Sequence, residues 1–177
     1  PLEHRMVDDR PVLVLEKLNG SPIRDIGLVP TEEFLKLALL VLEAVTSIHQ
    51  KGFTHQRLDL ESLLVSPDRR QIRLLHCDRA GVDNFRRDIV SLGSVFYQVL
   101  TGRSTSASES QPPHLLSAAV PENVSLLVMR MMEDTPENGY QNCSEVRAAV
   151  SLCLSQMQRP LELLLAEAQA ARTGAGS

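Results

Sequence analysis

The sequence predicts a mainly α domain of the α+β class, a helical bundle that carries one small β-hairpin. Three observations predict it. Apolar residues recur at helical spacing from Thr31 to Gln50; the stretch from Asp88 to Leu100 is apolar or small on almost every side; and two short apolar runs, Leu63 to Val65 and Ile72 to Leu75, are joined by turn formers. With 177 residues, 43% of them hydrophobic, the chain is long enough for one domain with a real core.

The elements follow in order. Pro11 to Leu15 (PVLVL) is a β-branched apolar run ending in the turn formers Asn19, Gly20, Ser21 and Pro22, which reads as a buried strand leaving into a loop. The first helix opens at Thr31, with Glu32 and Glu33 where a helix N-terminus favours negative charge, and Gly52 ends it. Phe34, Leu37, Ala38, Val41, Ala44, Val45 and Ile48 form its core stripe. In the hairpin, Ser66, Pro67, Asp68, Arg69 and Arg70 supply the turn. The second helix takes Asp88 as its cap and is buried all round. Residues 103–113 (RSTSASESQPP) form a surface loop, and Val124 to Met132 a third helix in which Met129, Met131 and Met132 fill the core. A fourth helix starts near Asn142, whose spacing to Glu145 is that of a capping box, and runs to about Gln158. A separate Leu-, Ala- and Glu-rich helix follows over Leu161 to Ala171, before a frayed tail.

Charge and cysteine usage narrow the function. Eighteen Lys plus Arg against 22 Asp plus Glu, with no basic run, argue against a nucleic-acid partner, and 3% aromatics without Trp argue against a base-stacking platform. Cys77, Cys143 and Cys153 are widely spaced and odd in number, which fits reduced structural thiols in the cytoplasm rather than a disulfide framework or a zinc site. No apolar stretch has the length to span a bilayer.

From Pro11 to about residue 155 the order of elements and motifs resembles the C-terminal lobe of a Ser/Thr protein kinase domain. The residues that carry the resemblance are Gln50, Lys51 and Gly52, then FTHQRLDLESLLV around His55, the segment IRLLHCDRAG, and a buried helix with Asp88, Ser91, Leu92 and Gly93 in the family's Asp-x-x-Ser-Leu-Gly pattern. VMRMMEDTPENGYQNCSEV is similar to late helices of kinase-like domains in bacterial multidomain signalling proteins. The resemblance implies a kinase-like C-lobe over residues 1–158, with 1–10 a remnant of the upper-lobe sheet and 159–177 a C-terminal helix and tail. It also implies that the N-terminal lobe is missing, since no Gly-rich phosphate loop occurs in the chain.

The positions that do chemistry in the family are changed. Phosphoryl transfer needs a proton acceptor, oxygen ligands for Mg²⁺ and donors around the phosphates. Aligning His55 with the family histidine puts Arg57 where the catalytic Asp belongs, and a guanidinium cannot accept a proton. Asp59 falls on the lysine position, and it or Asp78 is the nearby carboxylate that could substitute for a lost one, while Ser62 and His76 stand at the two Mg²⁺-ligand positions. Only nine residues, Arg79 to Arg87, separate Asp78 from Asp88, too few for an activation segment, and Gly139 stands where the family has an Arg that pairs with that segment's Glu. His55 is read as structural, bonding local backbone beneath the loop, and Asp88 as a brace for that loop. Glu16, Leu18 and Leu64 match adenine-facing positions and leave half a nucleotide cleft.

The resemblance and these changes together give a catalytically impaired kinase-like domain, a pseudokinase acting as a regulatory or interaction module in signalling. No cofactor is expected, and ATP and Mg²⁺ only under the alternative that the chain is part of an active Ser/Thr kinase whose N-lobe lies outside it. The expected partner is a protein or another domain of a longer chain, with self-association through the apolar upper surface at Leu15, Leu18, Leu64 and Leu74.

Overall fold

The computed structural model describes the backbone of residues 3–7, 10–14, 19–75, 78–79, 85–105 and 110–174, and the side chains of 19–75, 85–105 and 110–158. Strands β1 (Glu3–Val7) and β2 (Arg10–Val14) pair antiparallel, Glu3 opposite Val14. The turn expected at Ser21 and Pro22 is instead a two-residue strand, β3 (Ser21–Pro22), which pairs with β5 (Leu63–Val65). Proline is tolerated there because β3 is the edge of a three-stranded sheet and no partner needs its missing N–H. Gly20 lets the chain reach that edge, since a Cβ on it would sit 2.9 Å from the Val65 carbonyl oxygen. A 3-10 turn over Ile23–Ile26 follows, and buries Ile23.

Helix α1 (Thr31–Gln50) has the predicted bounds. Thr31 does not cap it; its hydroxyl donates to the Ala119 carbonyl at 2.8 Å and ties the helix start to a distant loop. Phe34, Leu35, Leu37, Ala38, Val41, Leu42 and Val45 are buried, and the Phe34 ring meets Phe96 edge-on at 5.3 Å. A face of this width, at about 1.5–3 kcal/mol per fully buried large side chain, is enough to fix α1 at the centre of the body. Gly52, at φ 76°, reverses the chain as expected.

After β4 (Phe53–Thr54) come β5 and β6 (Ile72–Leu74), the predicted hairpin, with Leu64 opposite Arg73. Strand β7 (Asp78–Arg79) returns to β4, Thr54 opposite Asp78. Helix α2 (Phe85–Thr101) begins one turn earlier than the sequence suggested, so Asp88 lies within its first turn and is not its cap. From Asp88 to Leu100 no residue is exposed, as expected for a central helix. Short α3 (Pro113–Leu116) precedes α4 (Glu122–Met132), which buries Met131.

Helix α5 (Cys143–Gly174) is one element, where the sequence suggested two. Pro160 removes one backbone donor, but the good helix formers on both sides carry the helix through it. The expected domain boundary after residue 158 therefore runs through a continuous helix. Its start matches the capping reading in part: the Glu145 N–H donates to Asn142 Oδ1 at 3.0 Å, while the Glu145 carboxylate takes the N–H of Gln141 at 3.1 Å rather than that of Asn142. No helix of the described residues is long and apolar enough to cross a membrane.

Candidate functional site

The loop that follows β4 is held from below. Asp88, fully buried, accepts three hydrogen bonds of 2.8 Å: the His55 N–H on Oδ2, the Gln56 N–H on Oδ1, and a bond from the His49 Nε2 on Oδ2. The loop reverses tightly at Gln56, whose φ is 61°, and the Arg57 N–H donates to the His55 carbonyl at 2.8 Å. That conformation is costly for a residue with a side chain, and the Asp88 bonds on either side stabilise it. Changing Gln56 to Gly should keep the loop and raise stability slightly, by about 0.5–1 kcal/mol in a urea titration.

His49, in the last turn of α1, had no role in the sequence reading, yet it is the side-chain partner of Asp88. Its other nitrogen, Nδ1, lies 3.8 Å from Cys143 Sγ, and its ring lies 4.6 Å from the Phe85 ring. The one signal for it was a histidine closing an apolar helix immediately before the loop. The row Cys143, His49, Asp88 has the composition of a thiol triad but not its chemistry, because burial pushes the Cys143 thiol up to about 12 and leaves no thiolate to attack. Cys153 is likewise a buried free thiol, raised by burial.

The His55 amide is held by the distant Asp88 carboxylate, and its ring does not bond the local backbone as expected. The side chain is 2% exposed, and neither Nδ1 nor Nε2 has a hydrogen-bond partner. Arg57 stands exposed at the loop surface. Asp59 is spent on its own turn: Oδ1 accepts the Ser62 N–H at 2.8 Å and the Glu61 N–H at 3.1 Å. Ser62 Oγ accepts the Asp59 N–H and donates to the Asp59 carbonyl. Partial burial pushes the Asp59 carboxyl up, but the donors from Ser62 and Glu61 outweigh it and leave the group below the usual carboxylate range. A lowered pKa means stabilisation that is complete above the unfolded value of ~3.9 and lost as pH falls through the folded value. Asp59→Asn should therefore flatten the dependence of Tm on pH below about 4, read by thermal melts followed by circular dichroism.

Among the described residues no group of three His, Cys, Asp or Glu is placed to hold a metal ion. The Ser62 hydroxyl is bonded to Asp59 within its own turn; His76, Glu16 and Leu18 lie outside the described residues, as do Leu15 and Cys77. Leu64 and Leu74 are half-buried on the hairpin. A cavity of about 320 Å³ opens toward the C-terminal end of α2, lined by Ile23, Val99 and Leu60, the last of which belongs to this loop.

Gly139 also has a structural reason. Arg86, in the first turn of α2, donates to the Glu133 carbonyl at 2.9 Å and to that of Asp134, bracing the α4–α5 connection. A Cβ on Gly139 would lie 2.8 Å from both Arg86 Nη2 and the Glu133 oxygen. Gly139→Ala should cost about 1–3 kcal/mol in chemical denaturation, because the brace has to give way.

No family model matches the chain. Among curated proteins it is similar to a probable serine/threonine-protein kinase of Clostridium perfringens, 22% identical over an alignment of 183 positions, gaps included, that covers 78% of this chain and 27% of that protein. It is equally similar to the serine/threonine-protein kinase PknB of Mycobacterium leprae, 22% identical over 78% of this chain and 29% of the relative. The chain thus spans less than a third of the length of these curated relatives. Among solved structures, a mutant PknI kinase domain of Mycobacterium tuberculosis superposes with a TM-score of 0.67 at 14% identity, covering 84% of this chain and 68% of that one. The fold is therefore that of the helical lower lobe of a protein kinase domain, and the relatives are serine/threonine protein kinases.

Proposed function

We propose that this chain is a kinase-like domain that does not transfer phosphate and acts as a regulatory or interaction module in signalling. One observation carries the reading: a braced loop in which Arg57 stands where the resemblance puts the proton acceptor, and a cation cannot take a proton from a substrate hydroxyl. The turn of Ser62 into bonds with Asp59, in place of an amide oxygen aimed at a cation, supports the same reading. No bound nucleotide or metal enters this function. The half-buried Leu64 and Leu74 support a role in docking a protein partner.

A second reading, that the chain is part of an active Ser/Thr kinase using ATP and Mg²⁺ with its N-lobe outside this sequence, is favoured by the kinase relatives and the short share of their length that the chain spans. Against it, Asp59, the nearest spare carboxylate, is less basic than usual and faces its own amides. The purified chain, and any longer protein that carries it together with an N-lobe, given radiolabelled Mg-ATP and generic protein substrates, should show no transfer above a heat-killed control. Transfer that Asp59→Asn or Asp78→Asn abolishes would establish the second reading in its place.

A further inference from the structure

Helix α5 packs between α1 and α4, and both run antiparallel to it. At its start Cys143 meets His49 in the last turn of α1, and Tyr140, just ahead of it, lies 4.4 Å beneath Arg130 near the end of α4. At the far end Gln158 Nε2 donates to Glu32 at 3.5 Å and Asn123 donates to Gln156 at 2.7 Å, both partners lying in the first turns of α1 and α4. Both neighbours have therefore run out where α5 reaches residue 158. The helix continues to Gly174, which adds about 24 Å.

The sequence carries the packed face into this overhang. Among the described side chains of α5, Cys143, Val146, Val150 and Cys153 are buried, and in the sequence the same three-to-four spacing runs on through Met157 to Leu161, Leu164, Ala168 and Ala171. Glu162, Ala166, Gln169 and Thr173 fall on the opposite side. The apolar row thus outlasts the two helices that cover its first half.

We propose that residues 159–174 pair antiparallel with the same stretch of a second copy of this chain. Three features choose that occupant. An antiparallel helix runs in the direction of α1 and α4 and takes the lane in line with them, whereas a parallel one would bring its own α1 and α4 into space already filled. Antiparallel register sets Leu161 opposite the second copy's Ala171 and Leu164 opposite its Ala168, large against small, where a parallel pair would stack leucine on leucine and alanine on alanine. It also brings each Arg172 toward the other copy's α1, whose first turn holds Glu32 and Glu33. One apposition opposes the pair, Glu167 against its own counterpart across the two-fold axis.

A contact of this length buries less than the ~1,200 Å² of a standard interface, which puts it among weak, reversible associations. Sedimentation velocity of the whole chain across the micromolar range should show reversible monomer and dimer. Leu161→Glu combined with Leu164→Glu should weaken the dimer at least about tenfold, while Leu152→Glu, at a position 58% exposed and off the row, should leave it unchanged. Glu167→Gln should tighten it severalfold. Far-UV circular dichroism and a thermal melt check that each variant keeps its fold. A chain monomeric throughout, or a dimer indifferent to the double substitution, overturns the proposal. Weakening by Glu167→Gln overturns the antiparallel arrangement, because a parallel pair would draw on attraction between Glu167 and Arg172.

Discussion

Asp88→Ala should strip roughly 4–5 kcal/mol from the stability of the chain. The substitution strips the acceptor from the N–H groups of His55 and Gln56 and from His49, all within 2.8 Å of a fully buried carboxylate. A buried donor left unpaired costs about 1–3 kcal/mol, so three together cost roughly 4–5 kcal/mol even after partial relaxation, a large share of an ordinary domain's total. The positive φ at Gln56 would lose its support at the same time. Asp88→Asn, which keeps one carbonyl oxygen but turns an amide donor toward other donors, should lose about half as much. Urea denaturation measures both, and a loss under ~1 kcal/mol for the alanine variant would show that Asp88 does not hold the loop.

The second large effect is expected at Gly93. Alanine there would ordinarily gain about 1 kcal/mol from helix propensity. Here its Cβ would meet Met131 Cβ at 2.9 Å, the Met131 carbonyl carbon at 3.0 Å and Met132 Cγ at 3.0 Å. The first two of these atoms are fixed to the α4 backbone, so no rotamer change relieves the contact and the two helices have to part. Gly93→Ala should cost about 2–3 kcal/mol and Gly93→Val more, since overpacking a close helix contact outweighs propensity. Equal or greater stability of the alanine variant, read as an unchanged or higher Tm, would falsify the close approach.

Much of this architecture was legible because its signals are local and redundant. The row of apolar residues from Phe34 to Val45 fixed α1 through periodicity alone, and Asp88 to Leu100 announced a central helix by having no polar side. What escaped was set by distant atoms. Two residues at Ser21 and Pro22 become a strand only because Val65 and Leu64 come alongside, and turn chemistry at that spot gave the opposite reading. The cap at Asp88 failed because the carboxylate has a more demanding use across the body than at its own helix start. His49 was missed for the same reason: its partner lies 39 positions away. The helices expected to about Gln158 and from Leu161 to Ala171 are one, because strong helix formers flank Pro160 on both sides. At the site, residue identities were readable and geometry was not; nothing in the sequence said that Asp59 and Ser62 would satisfy each other.

The tight reversal at Gln56 is anchored through main-chain atoms, three amides and a carbonyl, with Asp88 beneath. The outline of this segment is consequently indifferent to what side chain projects from position 57. Such a mounting lets a sequence drift at its outward-facing positions while the frame stays in place, so that shape outlives chemistry. It also makes the position a clean place for engineering: Arg57→Asp can be introduced without remodelling its surroundings, and any gain or loss it brings can be attributed to charge alone.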